Sequence, residues 1–285
     1  MEPDVVSCAQ RAATSLGVDL DLSVADTVVI HNSNKLALRL LPCDVFARVA
    51  VVGQEVAALE VELAQTLASR GCPVASLEPR IRPQVYERDG FAVTFWTYYP
   101  IATAAPISPA AYAHALARLH EGMRGVGTAT PHFTDRVAEA EQLVANPEQT
   151  PYLADSDRHL LGTALLDARH VIATSGAAEQ LLHGEPHPGN VLSVTGGPLF
   201  VDLETCCRGP VEFDLAHVPE DVAGQYPNAD HGLLHECRRL VLAMVGAWRF
   251  DARDEFPDGR RAGDHILAAL RAGPPWPTLD LLPRP

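Results

Sequence analysis

Two textures divide this chain, and the contrast between them limits its fold more than any single motif does. Up to Tyr98 the apolar residues come in short, often β-branched runs between turn residues: Thr27 to Ile30, Leu36 to Leu41 and Val45 to Val52. The turns between them, His31-Asn32-Ser33-Asn34-Lys35 and Pro42-Cys43-Asp44, predict successive strands. One helix interrupts the strands. From Gln54 to Arg70, Val56, Leu59, Leu63 and Leu67 recur at helical spacing, and Gly71 stands where a C-terminal cap belongs. Further strands are predicted near Glu78 to Arg82 and over Phe91 to Tyr98, for an order β-β-β-α-β-β. Beyond a Pro/Ala-rich connector, Pro100 to Pro109, the spacing turns helical. Ser108-Pro109 opens a helix with Tyr112, Leu116, Leu119 and Met123 on one face, and further helices are predicted near 134–145, 157–175, 211–223, 231–250 and 261–272. Two short apolar runs, Val191-Leu192 and Leu199 to Val201, interrupt them. The expectation is an α+β chain of two lobes: residues 1–99, small and β-rich with one main helix, and residues 100–285, larger and helical.

Composition excludes several classes. At 285 residues the chain buries a core without needing disulfides or metal. No apolar run reaches the roughly 20 residues that span a bilayer. Met1-Glu2-Pro3-Asp4 lacks the basic start of a secretory signal, so a cytoplasmic protein without membrane partners is expected. The 22 basic residues against 36 acidic ones give a net charge of −14, which disfavours nucleic acid and would suit a cationic small molecule. Lys35 is the sole lysine, so chemistry that ordinarily uses Lys falls to Arg or to Lys35. The six cysteines include no C-x-x-C pair and read as reduced thiols.

The densest polar segment is His183-Gly184-Glu185-Pro186-His187-Pro188-Gly189-Asn190, followed by Leu199-Phe200-Val201-Asp202-Leu203-Glu204. Phosphoryl transfer needs a carboxylate to orient or deprotonate a hydroxyl, and further side-chain oxygens to hold Mg²⁺ on the phosphates. Glu185, Asn190 five residues on, and Asp202 after a short apolar run supply that set. A zinc reading of His183, Glu185, His187 and Asp202 fails, because H-E-x-x-H needs a regular helix and Pro186 and Pro188 preclude one. No Gly-rich phosphate loop of the P-loop or dinucleotide type occurs.

These residues resemble those of the aminoglycoside phosphotransferase and choline kinase family, whose catalytic loop reads H-G-D-x-x-x-x-N and whose metal strand reads I-D-x-[DE]. The resemblance spans roughly residues 25–250 and includes Leu119-His120, Gly209-Pro210 and Asp214-Leu215-Ala216. It implies a protein-kinase-like fold and a kinase of small molecules using ATP or GTP with Mg²⁺. Glu185 would be the catalytic residue, Asn190 and Asp202 the metal ligands, and His183 and Asp214 the structural support of the loop. Nucleotide would sit between the lobes, against Ser33, Asn34, Lys35, Arg48, Glu62, Trp96, Thr97 and Tyr98. The acceptor would be a small hydroxylated molecule. Acidic residues such as Glu204, Glu212, Asp251, Asp254 and Glu255 would favour a polyamine, an aminoglycoside-like antibiotic among them.

Two positions depart from the family pattern. Glu185 stands in place of Asp and reaches one methylene farther, about 1.5 Å. Arg48 stands in place of Lys, a planar, permanently charged head instead of a point charge. Both departures motivate an alternative, a catalytically degenerate kinase-fold module that binds a nucleotide or a partner.

Overall fold

The computed structural model describes residues 1–33, 35–53, 56–100 and 107–281. The chain forms two compact units, Met1–Pro106 with Leu192–Glu204, and Ile107–Val191 with Thr205–Pro285. The first unit opens with α1 (Pro3–Asp19), then β1 (Val24–Asn32), β2 (Leu36–Pro42), β3 (Val45–Val51), α2 (Val56–Ser69), β4 (Tyr86–Arg88) and β5 (Phe91–Thr97). Its strands form one antiparallel sheet in the order β1-β2-β3-β5-β4.

Period-two alternation along β2 and β3 gives the sheet two distinct faces. Leu36, Leu38, Leu40, Val45, Ala47 and Val49 point to one side, where Ala9, Ala12, Ala13 and Leu16 of α1 pack on them. Phe46 and Arg48 point to the other, with Thr94 directly across from Arg48. The sequence reading has no counterpart of α1, because alanines at i, i+3 and i+4 carry little apolar signal even though they bring the helix close. The strand expected at 78–82 is also displaced. Pro79 and Pro83 cannot donate ladder hydrogen bonds, and the strand forms at Tyr86–Arg88 instead.

The chain continues through α3 (Pro109–Met123), α4 (Phe133–Ala145), α5 (Asp155–Thr174) and β6 (Glu179–Leu182). Next comes a hairpin, β7 (Val191–Val194) and β8 (Gly197–Phe200), which from Leu192 onward is grouped with the first unit. The Ala75 N–H donates to the Phe200 carbonyl at 3.0 Å and the Phe200 N–H to Pro73 at 2.8 Å, fastening the hairpin there. The second unit resumes with β9 (Cys207–Pro210), antiparallel to β6, and then α6 (Val211–Leu215), α7 (Glu220–Ala223), α8 (His231–Arg249) and α9 (Gly259–Ala272). The single helix expected over 211–223 is two short ones, broken where Pro219 lacks the N–H a continuous helix needs. Helix α8 buries Leu240, Val241, Met244 and Ala247, and α5 buries Leu161, Leu165 and Ala168, which together form much of this unit's core. Among the described residues no helix is long and apolar enough to cross a membrane.

Candidate active site

In the first unit, Arg48 is the centre of a charged cluster. Its Nη1 bonds Glu60 Oε1 at 2.5 Å and its Nη2 bonds Asp202 Oδ1 at 3.1 Å, with Glu204 at 3.9 Å. Lys35 Nζ pairs with Glu204, so two cations face three carboxylates. Glu60 is 2% exposed and also accepts the Leu203 N–H at 3.2 Å. Burial pushes its carboxyl up to about 7; Arg48 opposes that rise, while the neighbouring Asp202 adds to it. Arg48 stays charged: burial works against its charge, and Glu60, Asp202 and Glu204 outweigh burial. Asp202 follows β8 with φ +67°, a left-handed conformation uncommon for a residue with a Cβ and held by its surroundings.

In the second unit, the loop from His183 to Asn190 is fastened at every backbone position that matters for Glu185. Asp214, fully buried, accepts the His183 N–H and the Gly184 N–H, one at each oxygen and both at 2.8 Å. His120 Nε2 lies 2.9 Å from the same carboxylate, and its Nδ1 lies 2.8 Å from Tyr226 Oη. Burial alone would raise Asp214, yet the His120 bond and the His183 N–H hold it below the ordinary range. Gly184 has φ +91°, and a Cβ there would come within 1.9 Å of the Thr205 carbonyl oxygen, so only glycine fits. The Glu185 N–H donates to His183 Nδ1 at 3.4 Å, and its carbonyl accepts Asn190 Nδ2 at 3.0 Å. Tyr112 Oη donates to the next carbonyl, that of Pro186.

The Glu185 side chain is held by a residue that the sequence reading did not single out. Arg136 of α4 donates from Nη2 to Glu185 Oε1. Burial would raise the Glu185 carboxyl, but the Arg136 charge and hydrogen bond outweigh it, and Glu185 lies below the usual carboxylate range. It is therefore an anion at neutral pH. His217, 5% exposed, is pushed down to about 4 by burial, although Glu185 draws it upward, so it is neutral beside that anion.

Several expected nucleotide residues have definite places. Ser33 is exposed in the first hairpin, its N–H bonded to the Lys35 carbonyl; Asn34 lies outside the described residues. Glu62 is exposed on α2, and the acid that meets Arg48 is Glu60. Two residues turn a helix by about 200°, so both cannot face the sheet. Trp96 is a core side chain, 5% exposed, with its indole N–H on Thr94 at 2.9 Å. The Thr97 N–H is engaged by the Ser76 carbonyl, and Tyr98 lies under the Arg39 guanidinium at 4.2 Å.

Comparison with known proteins places the chain. A profile of the phosphotransferase enzyme family, APH, matches residues 44–276. No curated protein sequence matches. Among solved structures, amicoumacin kinase hAmiN, determined with AMP-PNP and Ca²⁺, superposes with a TM-score of 0.71 at 12% identity, over 97% of this chain and 98% of that one. A choline/ethanolamine kinase family protein from Mesorhizobium loti gives 0.62 at 16% identity, over 91% and 94%. The aminoglycoside phosphotransferase APH(3'')-Id from Streptomyces rimosus gives 0.60 at 19%, over 86% and 99%. At these identities the likeness establishes the fold, which is α+β and protein-kinase-like.

Proposed function

The chain belongs to the phosphotransferase enzyme family, and on that footing we propose that it transfers the γ-phosphate of ATP or GTP to a hydroxyl of a small molecule. The observation that carries this reading is the Glu185 loop. Asp214 pins its two leading N–H groups, Asn190 pins the Glu185 carbonyl, and what remains to act is one anionic carboxylate. A carboxylate held below its ordinary range is an anion at neutral pH and can orient an acceptor hydroxyl by accepting its hydrogen bond. Phosphoryl transfer asks for little more than such positioning together with charge on the phosphates.

Mg²⁺ fits the residues proposed to hold it. Asn190 spends its amide NH₂ on a carbonyl, which leaves its oxygen as the end that meets a cation, and Asp202 is a half-buried carboxylate with one oxygen on Arg48. Both are the hard oxygen donors that this ion takes. When bound, the ion neutralises charge on the phosphates. Arg48 keeps Nη1 on Glu60, and a phosphate competes with Asp202 for Nη2. Lys35, now on Glu204, is the second cation proposed to meet the nucleotide, beside Ser33 and Asn34. The base is proposed to be read by main-chain groups near Trp96 to Tyr98, since the Trp96 side chain is committed to the core.

The acceptor is a small hydroxylated compound. An aminoglycoside draws support from the net charge of −14. The individual carboxylates lend less, for Glu204 is on Lys35, Glu212 on the Asp230 N–H, Asp251 on Arg253 and Asp254 on Arg249. Isothermal titration with ATP and GTP, with and without Mg²⁺, tests the reading. Mg²⁺-dependent binding that is lost in Asp202→Ala is the expected result. Absence of binding to either nucleotide would overturn it and favour a kinase-fold module for another partner.

A further inference from the structure

We infer that Arg136 is a positioning residue of the active site: it holds the Glu185 carboxylate in one place. The inference rests on the phosphotransferase reading and concerns the same site. Three observations carry it. The main chain of Glu185 is held on both sides, by His183 Nδ1 and Asn190 Nδ2, so the only freedom left is in the side chain. Glutamate has one more rotatable bond than aspartate there, and an unanchored carboxylate would sample several positions. Arg136 removes that freedom by bonding Oε1, which leaves Oε2 as the oxygen to receive a hydroxyl.

The anchor is itself held. The Arg136 guanidinium lies over the Trp248 ring of α8, 5.0 Å from its centre, a contact that fixes the plane of the fork. Both partners are largely withdrawn from water, with side-chain exposures of 18% for Arg136 and 23% for Glu185, so the pair is screened less than a surface one. The titratable and charged groups near Glu185 are Arg136 on α4, His217 beyond α6, Arg249 on α8, Cys207 on β9 and His187 in its own loop. Among these, Arg136 makes the hydrogen bond. A displacement of about 1 Å can cost on the order of 10²-fold in rate, so the bond has consequences for turnover.

The test uses the full chain and two readouts. The first is a ¹³C NMR titration of the Glu185 carboxyl, assigned with Glu185→Gln, in wild type, Arg136→Met and Arg136→Lys. The titration is expected to move to higher pH in Arg136→Met and to return most of the way in Arg136→Lys. The second is ATP turnover with whichever hydroxylated acceptor a screen identifies. Arg136→Met should lower kcat about 10- to 100-fold, move the acid limb of the pH profile upward and leave the KM for ATP within about twofold. In a Glu185→Asp background, whose carboxylate no longer reaches Arg136, the same substitution should cost little. An unmoved titration overturns the contact, and a moved titration with unchanged kcat and pH profile overturns its role in turnover. Loss of Mg²⁺-dependent nucleotide binding in wild type strikes the phosphotransferase reading instead, and the titration still reports on the contact.

Discussion

Glu60 in the first unit and Asp214 in the second are both almost wholly buried acids, yet they sit on opposite sides of the ordinary carboxylate range. Glu60 is pushed up to about 7, and Asp214 is held low. Burial acts the same way on both, so it cannot be the difference. What differs is the number of donors that each acid has to itself. Asp214 receives two backbone N–H groups and His120. Glu60 receives one N–H and an arginine that it shares with Asp202 and Glu204, two further anions that raise it. A buried carboxylate is stable as an anion where backbone donors are dedicated to it. In the first unit the cluster stays short of positive charge, a suitable state for residues proposed to meet a metal ion.

Two substitutions probe that difference, the larger effect first. Asp214→Asn puts an amide NH₂ against one of the two backbone N–H groups and removes the anion that both require. A loss of about 3–5 kcal/mol is expected, read as a fall in the urea midpoint; a loss below about 1 kcal/mol would break the comparison. Arg48→Met leaves Glu60 buried without its cation, but an acid already near neutrality can take up a proton. The loss should therefore stay below that 3–5 kcal/mol range at pH 6 and grow as the pH is raised to 8. Equal losses at both pH values would show that Glu60 is an anion throughout.

His217 extends the comparison to a buried base. Its folded value of about 4 lies below the ordinary 6.5, so between those values the unfolded chain binds a proton that the folded chain does not. Stability from this group is full above pH 6.5 and falls as the pH drops through 4, at up to about 1.4 kcal/mol per pH unit. His217→Phe should flatten that slope in urea midpoints measured from pH 7 to 4.5. An unchanged slope would mean that other groups set it.

Much of the fold was legible because its signals are local. Alternation in β2 and β3, helical spacing in α3 and α8, and the cap positions are short-range patterns that neighbouring residues carry. The loop from His183 to Asn190 was legible for the same reason, since a carboxylate and an amide five residues apart can be read without knowing what surrounds them. α1 escaped notice because alanines give a weak pattern, and the strand at Tyr86–Arg88 because the prolines before it displaced the pairing. The acid that meets Arg48 is Glu60 and not Glu62, and choosing between the two needs the phase of α2 against the sheet. That phase is seen only in which residues of α2 are buried, Ala57, Glu60, Leu63, Ala64 and Leu67 among them.

The sequence by itself determined the α+β plan, the phosphotransferase kinship and the identity of Glu185, Asn190 and Asp202 as the residues to watch. Tertiary structure alone decided which acid meets Arg48, which carboxylate stays charged, and that Arg136 holds Glu185. The physical reason is distance along the chain. Arg48 and Asp202 are 154 residues apart, and Arg136 and Glu185 are 49 apart. Charge and hydrogen bonding act through space, over a few ångströms, and only the folded chain says which groups come that near.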